Sequence, residues 1–159
     1  MEQLLDSMKV LHATNFAFYL KLHFFHWNVT GPNFPQYHDF FGDLYEEIHG
    51  AVDDIAEHIR AIEGYAPGSL QRFKELSLVQ DQIEVTSASE MLSQALVDNN
   101  VVITALKNAF KLADAFGEVG LANYLQDRID IHKKHGWMIR STGGLNVPAV
   151  AVSATPSTT

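Results

Sequence analysis

From Leu4 onward, apolar residues recur at helical steps: Leu4, Met8, Leu11, Phe16, Leu20, Phe24 and Trp27. At about 3.6 residues per turn this spacing predicts a first helix over residues 4–29. Gly31-Pro32-Asn33 marks a turn after it. A second helix is predicted over 35–63, with Leu44, Ile48, Val52, Ile55, Ile59 and Ile62 as its apolar face and Gly64 as its stop. A long connection follows, over 65–84. It carries Pro67-Gly68-Ser69 and a short amphipathic stretch, Leu70 to Leu76, that reads as a small helix. Ser87 stands three before Glu90, the spacing of a capping box, and opens a third helix running to about Phe116. A break at Gly117 to Gly120 precedes a fourth helix, which ends near Ser141 before Gly143-Gly144.

Four long helices with an extended link between the second and third predict an all-α four-helix bundle with one long crossover that carries a short extra helix. The expected domain is 1–144. Residues 145–159 contain no charged side chain and are rich in Ala, Val, Ser, Thr and Pro, the composition of a flexible tail.

Composition narrows the chemistry. The 159 residues suffice for one core, and 47% are apolar, too many for a disordered chain. Acids outnumber bases 19 to 11, giving a formal charge of −8, which argues against a nucleic-acid footprint on the scale of the whole chain. There is no cysteine, so disulfides, thiolate metal sites and cysteine nucleophiles are excluded. No Gly-x-Ser-x-Gly turn suggests a hydrolase. The first residues show no secretion signal, and no apolar run is long enough to span a bilayer, so a cytoplasmic location with no membrane contact is expected.

Eight histidines without cysteine point toward metals bound through nitrogen and oxygen. His26 and His38 flank the short turn between the first two helices and can face each other across that hairpin. Asp53 and Glu57 share one face of the second helix, being four residues apart. His38, Gly42, Tyr45, His49 and Asp53 fall on a narrow stripe of that helix, with Glu57 at its edge. His38 and Asp53 are nevertheless separated by about 22 Å along the helix, at about 1.5 Å per residue. One chain cannot bring both to one ion. A second copy packed antiparallel about Tyr45-Glu46 places His38 of one against Asp53 of the other, and two-fold symmetry then builds two identical sites. The plain alternative is a helix-end histidine and a solvated acidic face.

His23-Phe24-Phe25-His26-Trp27-Asn28-Val29-Thr30-Gly31-Pro32-Asn33-Phe34, followed by His38 and by Asp53-Asp54-Ile55-Ala56-Glu57, resembles the signature of the Dps family, the mini-ferritins. The likeness extends from the first helix to about Gly144, including His135-Gly136-Trp137-Met138, and leaves out the tail. It implies a ferritin-like bundle that assembles as a homo-dodecamer around a cavity. It also implies a ferroxidase centre at the two-fold interface. By match, His26 and His38 ligate iron from one subunit, Asp53 and Glu57 from the other, with Glu57 bridging. Fe(II) would be oxidised, preferably by hydrogen peroxide, and stored as Fe(III) mineral, protecting against oxidative stress. Trp27 and Trp137 resemble tryptophans near that centre that trap stray oxidising equivalents; the alternative is ordinary core aromatics. Acidic pores near the start of the fourth helix make Asp114 and Glu118 candidates for iron entry, against a solvated face.

One departure stands out. The family has an acidic ligand four residues after the second histidine, where this chain has Gly42. On the stripe, Gly42 of one copy faces His49 of the other, so His49 is a candidate replacement ligand, against an incidental interface histidine. DNA binding is not expected despite the family name, because the body is acidic and the tail has no Lys or Arg. Two rivals remain. One is an intrachain di-iron carboxylate protein, for which Glu46-x-x-His49 is the single motif present. The other is a helical interaction module without catalysis.

Overall fold

The computed structural model describes residues 1–145. Five helices follow in order: α1 Glu2–Asn28, α2 Phe34–Ala61, α3 Leu70–Leu76, α4 Ala88–Ala115 and α5 Val119–Gly143. The long helices α1 and α2 form one hairpin and α4 and α5 another, with α1 packed on α4 and the short α3 on α1. This is the all-α bundle with a long crossover that the apolar spacing predicts. The expected tail lies, beyond Leu145, outside the described residues.

The turn between α1 and α2 sets the geometry of the site. Gly31 has φ +122°, a conformation that side-chain-bearing residues rarely adopt, and its carbonyl accepts from Phe34 N–H at 3.0 Å. Pro35 lies in the first turn of α2, where its missing N–H costs nothing. Five residues, 29–33, therefore reverse the chain and lay the end of α1 against the start of α2. At the far end of the hairpin, Glu63 carries the positive φ, 67°, while Gly64 answers a steric demand. A Cβ on Gly64 would lie 2.3 Å from Leu5 Cδ2 and 3.1 Å from Ile59 Cγ2.

The apolar face read for α1 holds through Leu11 and again at Phe24, which packs half-buried against the core. Leu4, Met8 and Leu11 are buried, but Leu20 and Trp27 are exposed, and the core continues through Phe18, Leu22 and Phe25. The five-residue step from Leu11 to Phe16 leaves the inward face; Asn15, a polar residue, holds it instead. Asn15 is buried and donates from Nδ2 to Ile48 O on α2 at 3.0 Å. On α2, Leu44, Ile48, Ile55 and Ile59 are buried as expected, as is Ile62 at its C-cap, while Val52 is half-buried. The capping box opens α4: Ser87 Oγ accepts from Glu90 N–H and Glu90 accepts from Ser87 N–H. Gly120, expected in the break before the last helix, lies inside α5. The crossover is pinned to α1 by Phe73 stacked on Phe16 at 4.5 Å and by Leu78 N–H donating to Thr14 Oγ1 at 3.1 Å.

Candidate metal centre

His26 and His38 meet across the hairpin. Their rings stack at 3.7 Å, and each Nδ1 lies close to the backbone oxygen of the other: His26 Nδ1 to His38 O at 2.7 Å, His38 Nδ1 to His26 O at 2.8 Å. A carbonyl only accepts, so both Nδ1 atoms carry the proton and donate. In the neutral rings, both Nε2 lone pairs are then free to ligate. Fixing the tautomer through the second ring nitrogen is how proteins prepare histidine for a metal. Gly42, on the next turn of α2, lies directly under His26: a Cβ there would sit 3.4 Å from the imidazole.

The carboxylates lie elsewhere. Asp53 and Glu57 are exposed on the outer face of α2, and among the described residues no three His, Asp or Glu side chains converge to hold a metal within one chain. Asp53 lines a surface recess of about 310 Å³ between α1, α2 and the crossover, together with His49, His12, Phe16 and Phe73. His49 is exposed, its ring 4.6 Å from Tyr19.

A ring cluster joins these parts. His23 is sandwiched between Tyr45, stacked at 3.9 Å, and Trp27, also at 3.9 Å. Tyr45 meets His26 edge-on at 5.2 Å. Burial lowers the pKa of His23, and the neighbouring His26 and His49 lower it further. Desolvation and the adjacent Glu46 carboxylate raise that of Tyr45. Reading the sequence did not assign His23 a role, although it lies one helical turn before His26 on α1 and so on the same side. Trp27 is exposed beside this cluster; Trp137 is exposed on α5 and, among the described residues, makes no ring contact with it. Asp114 lies exposed in the last turn of α4, and Glu118 is the N-cap position of α5.

At the level of Glu47 the bundle carries a network of its own side chains. Arg128 on α5 forms a bidentate pair with Glu47, and His135 Nε2 lies 3.5 Å from the same carboxylate. His132 donates from Nδ1 to Asn99 Oδ1 at 2.8 Å, while its Nε2 accepts from Arg128 at 3.2 Å. A buried guanidinium repels cations, which counts against an intrachain di-iron site here. Glu46 and His49 face outward on α2 and do not enter this interior.

A family model described as a ferritin-like domain matches residues 8–144. General stress protein 20U of Bacillus subtilis is 31% identical over 143 residues, covering 88% of this chain and 97% of its own. The DNA protection during starvation protein of Brevibacillus brevis is 36% identical over 124 residues, covering 77% of this chain and 83% of its own. The crystal structure of Dps from Staphylococcus aureus superposes with a TM-score of 0.86 at 31% identity, covering 92% of this chain and 98% of that one. The molecule is thus a ferritin-like helical bundle. Within that class the chain belongs to the Dps family.

Proposed function

We propose that the protein is an iron-storing ferroxidase whose centres form between two-fold-related subunits of a dodecamer. The observation that carries this reading is the reciprocal pair of Nδ1–carbonyl hydrogen bonds, which leaves both Nε2 atoms of His26 and His38 as ready ligands. Fe(II), the substrate, is held by these nitrogens from one subunit and by Asp53 and Glu57 from its partner, Glu57 bridging. The recess beside Asp53 leaves that stretch of α2 open to a partner subunit, which is consistent with this reading. Carboxylate oxygens favour Fe(III) over Fe(II), so the ligand set assists oxidation by hydrogen peroxide. The oxidised iron passes into the cavity as mineral, and consuming iron and peroxide together limits oxidative damage.

His49 shares the Asp53 recess and is the ligand proposed to replace the acidic group missing at Gly42. If His49→Ala leaves the iron stoichiometry unchanged, that role is refuted. Asp114 and Glu118 are proposed to guide Fe(II) inward. With a formal charge of −8, the assembly should leave duplex DNA unshifted in a retardation gel at physiological salt. No helix among the described residues is long and apolar enough to cross a membrane; a cytoplasmic location is proposed with the function.

The test is Fe(II) added to the purified protein without oxygen, followed by peroxide, with ferric absorbance and soluble iron recorded. Fast oxidation with iron retained in solution, abolished by replacing His26, His38, Asp53 and Glu57, is expected. Oxidation no faster than in protein-free buffer, with precipitation, would leave the interaction-module reading standing.

A further inference from the structure

The rings around Tyr45 are not used by the ligand set, yet they begin at it. The Tyr45 ring lies edge-on to His26 at 5.2 Å and flat on His23 at 3.9 Å, with an interplanar angle of 10°. His23 in turn contacts Trp27, which is 59% exposed. The Tyr45 hydroxyl donates to the Glu46 carboxylate at 3.4 Å. An oxidisable phenol with a proton acceptor attached therefore sits one ring away from an imidazole that is proposed to hold iron.

Peroxide needs two electrons to become water, and Fe(II) supplies one. The second metal position lacks its carboxylate in this chain, because Gly42 offers no side chain and a Cβ there would already touch the His26 ring at 3.4 Å. A neutral imidazole from His49 in its place holds Fe(II) more weakly, so one ion binds first. A centre holding a single Fe(II) must find its second electron elsewhere or release hydroxyl radical. We propose that Tyr45 is that second-electron donor. This rests on the ferroxidase reading above. The iron goes from Fe(II) to Fe(III), giving one electron. Tyr45 gives the other, through its contact with His26, and its phenolic proton passes to Glu46. The O–O bond of peroxide breaks, and with two protons, one from Glu46 and one from solvent, its oxygens leave as two waters. Tyr45 remains as a neutral phenoxyl radical. The next Fe(II) reduces it, becoming Fe(III), while the phenol regains a proton. The net consumption is still two Fe(II) per peroxide, but the ions react in sequence and need not be held together.

The experiment loads the assembled protein with one Fe(II) per subunit without oxygen, mixes it rapidly with peroxide, and freezes it for electron paramagnetic resonance. The expected result is a transient organic radical whose hyperfine pattern narrows when the protein is grown with ring-deuterated tyrosine. That identifies tyrosine and excludes Trp27 as its seat. The signal should vanish in Tyr45→Phe and persist in Tyr19→Phe. Tyr45→Phe, which keeps the ring stack, should bind Fe(II) as before and release several-fold more hydroxyl radical to a spin trap. Two irons oxidised together per peroxide in the first turnover, with no radical in the unaltered protein, would overturn the role of Tyr45 and leave the ferroxidase reading intact. Failure of the unaltered protein to bind or oxidise Fe(II) would overturn both.

Discussion

The arrangement of His26 and His38 makes each residue both a candidate ligand and an anchor for its neighbour. In His38→Ala the His26 ring keeps its acceptor, because that acceptor is the backbone oxygen of residue 38. What is lost is one ligand nitrogen, and His26 O loses its donor. Fe(II) affinity measured by anaerobic titration should fall by at least about tenfold, while stability falls by only about 1 kcal/mol, the worth of one hydrogen bond. Equal Fe(II) binding in His38→Ala would remove His38 from the site. Histidine also matters inside the bundle. Burial holds the pKa of His132 well below the usual value, with the Arg128 charge adding to the effect, and His135 is lowered by burial as well, against the opposing pull of Glu47. Below about pH 6.5 the unfolded chain takes up protons at both rings before the folded protein does. Their contribution to stability is therefore complete above that pH and is lost as pH falls toward the folded values. Each histidine steepens the decline by up to about 1.4 kcal/mol per pH unit. Urea titrations between pH 7 and pH 5 should show this slope, and His132→Gln should flatten it by one histidine's share.

At the scale of elements, local signals were legible and cross-helix ones were not. Ser87 and Glu90 announce the start of α4 because both halves of the capping box lie within one turn of chain. Ser87→Ala should lower stability by about 1 kcal/mol in thermal or urea unfolding. The short α3 was legible to the residue, from the amphipathic stretch between Ser69 and Ser77. The inward face of α1 beyond Leu11 was misread because polar residues occupy it. Asn15 and Lys21 are buried there, satisfied by Ile48 O and by Asp98 of α4, and an apolar count passes over them. The ion pair of Arg128 with Glu47 joins residues 81 apart in sequence, and no periodicity reveals it. His23 was missed for a related reason: its one-turn spacing from His26 is weak by itself, and what marks it is the Tyr45 ring across the hairpin. Gly64 follows the end of α2 as the sequence suggests, its N–H capping Ile59 O at 2.9 Å, and it also lets α1 approach. Gly64→Ala should cost about 1 kcal/mol, since the Leu5 methyl must turn aside and Ile59 is crowded. In a Leu5→Ala background the added cost should shrink, because the nearest obstructing atom is gone; a strictly additive double mutant would contradict the close-approach account.

At the scale of the whole molecule, the histidine pair at the α1–α2 turn and the acids farther along α2 are too far apart to serve one ion within a chain. This separation was visible in the sequence as the 15 helical steps from His38 to Asp53, about 22 Å. It makes the two-fold arrangement testable by mixing subunits. One variant, His26→Ala with His38→Ala, keeps its acids; the other, Asp53→Ala with Glu57→Ala, keeps its histidines. Alone, each should assemble and oxidise Fe(II) no faster than buffer. When the two are dissociated, mixed in equal amounts and reassembled, half of the dimer interfaces pair one of each kind. In such a pair one site combines both defects and is dead, while the other draws intact histidines from one subunit and intact acids from its partner. About a quarter of all sites should therefore recover. A centre contained within single chains would give no recovery at all, because every subunit in the mixture lacks half of its own ligands. Oxidation rate against mixing ratio separates the two cases, since only a shared site gives a curve that rises from zero, peaks at equal amounts and returns to zero.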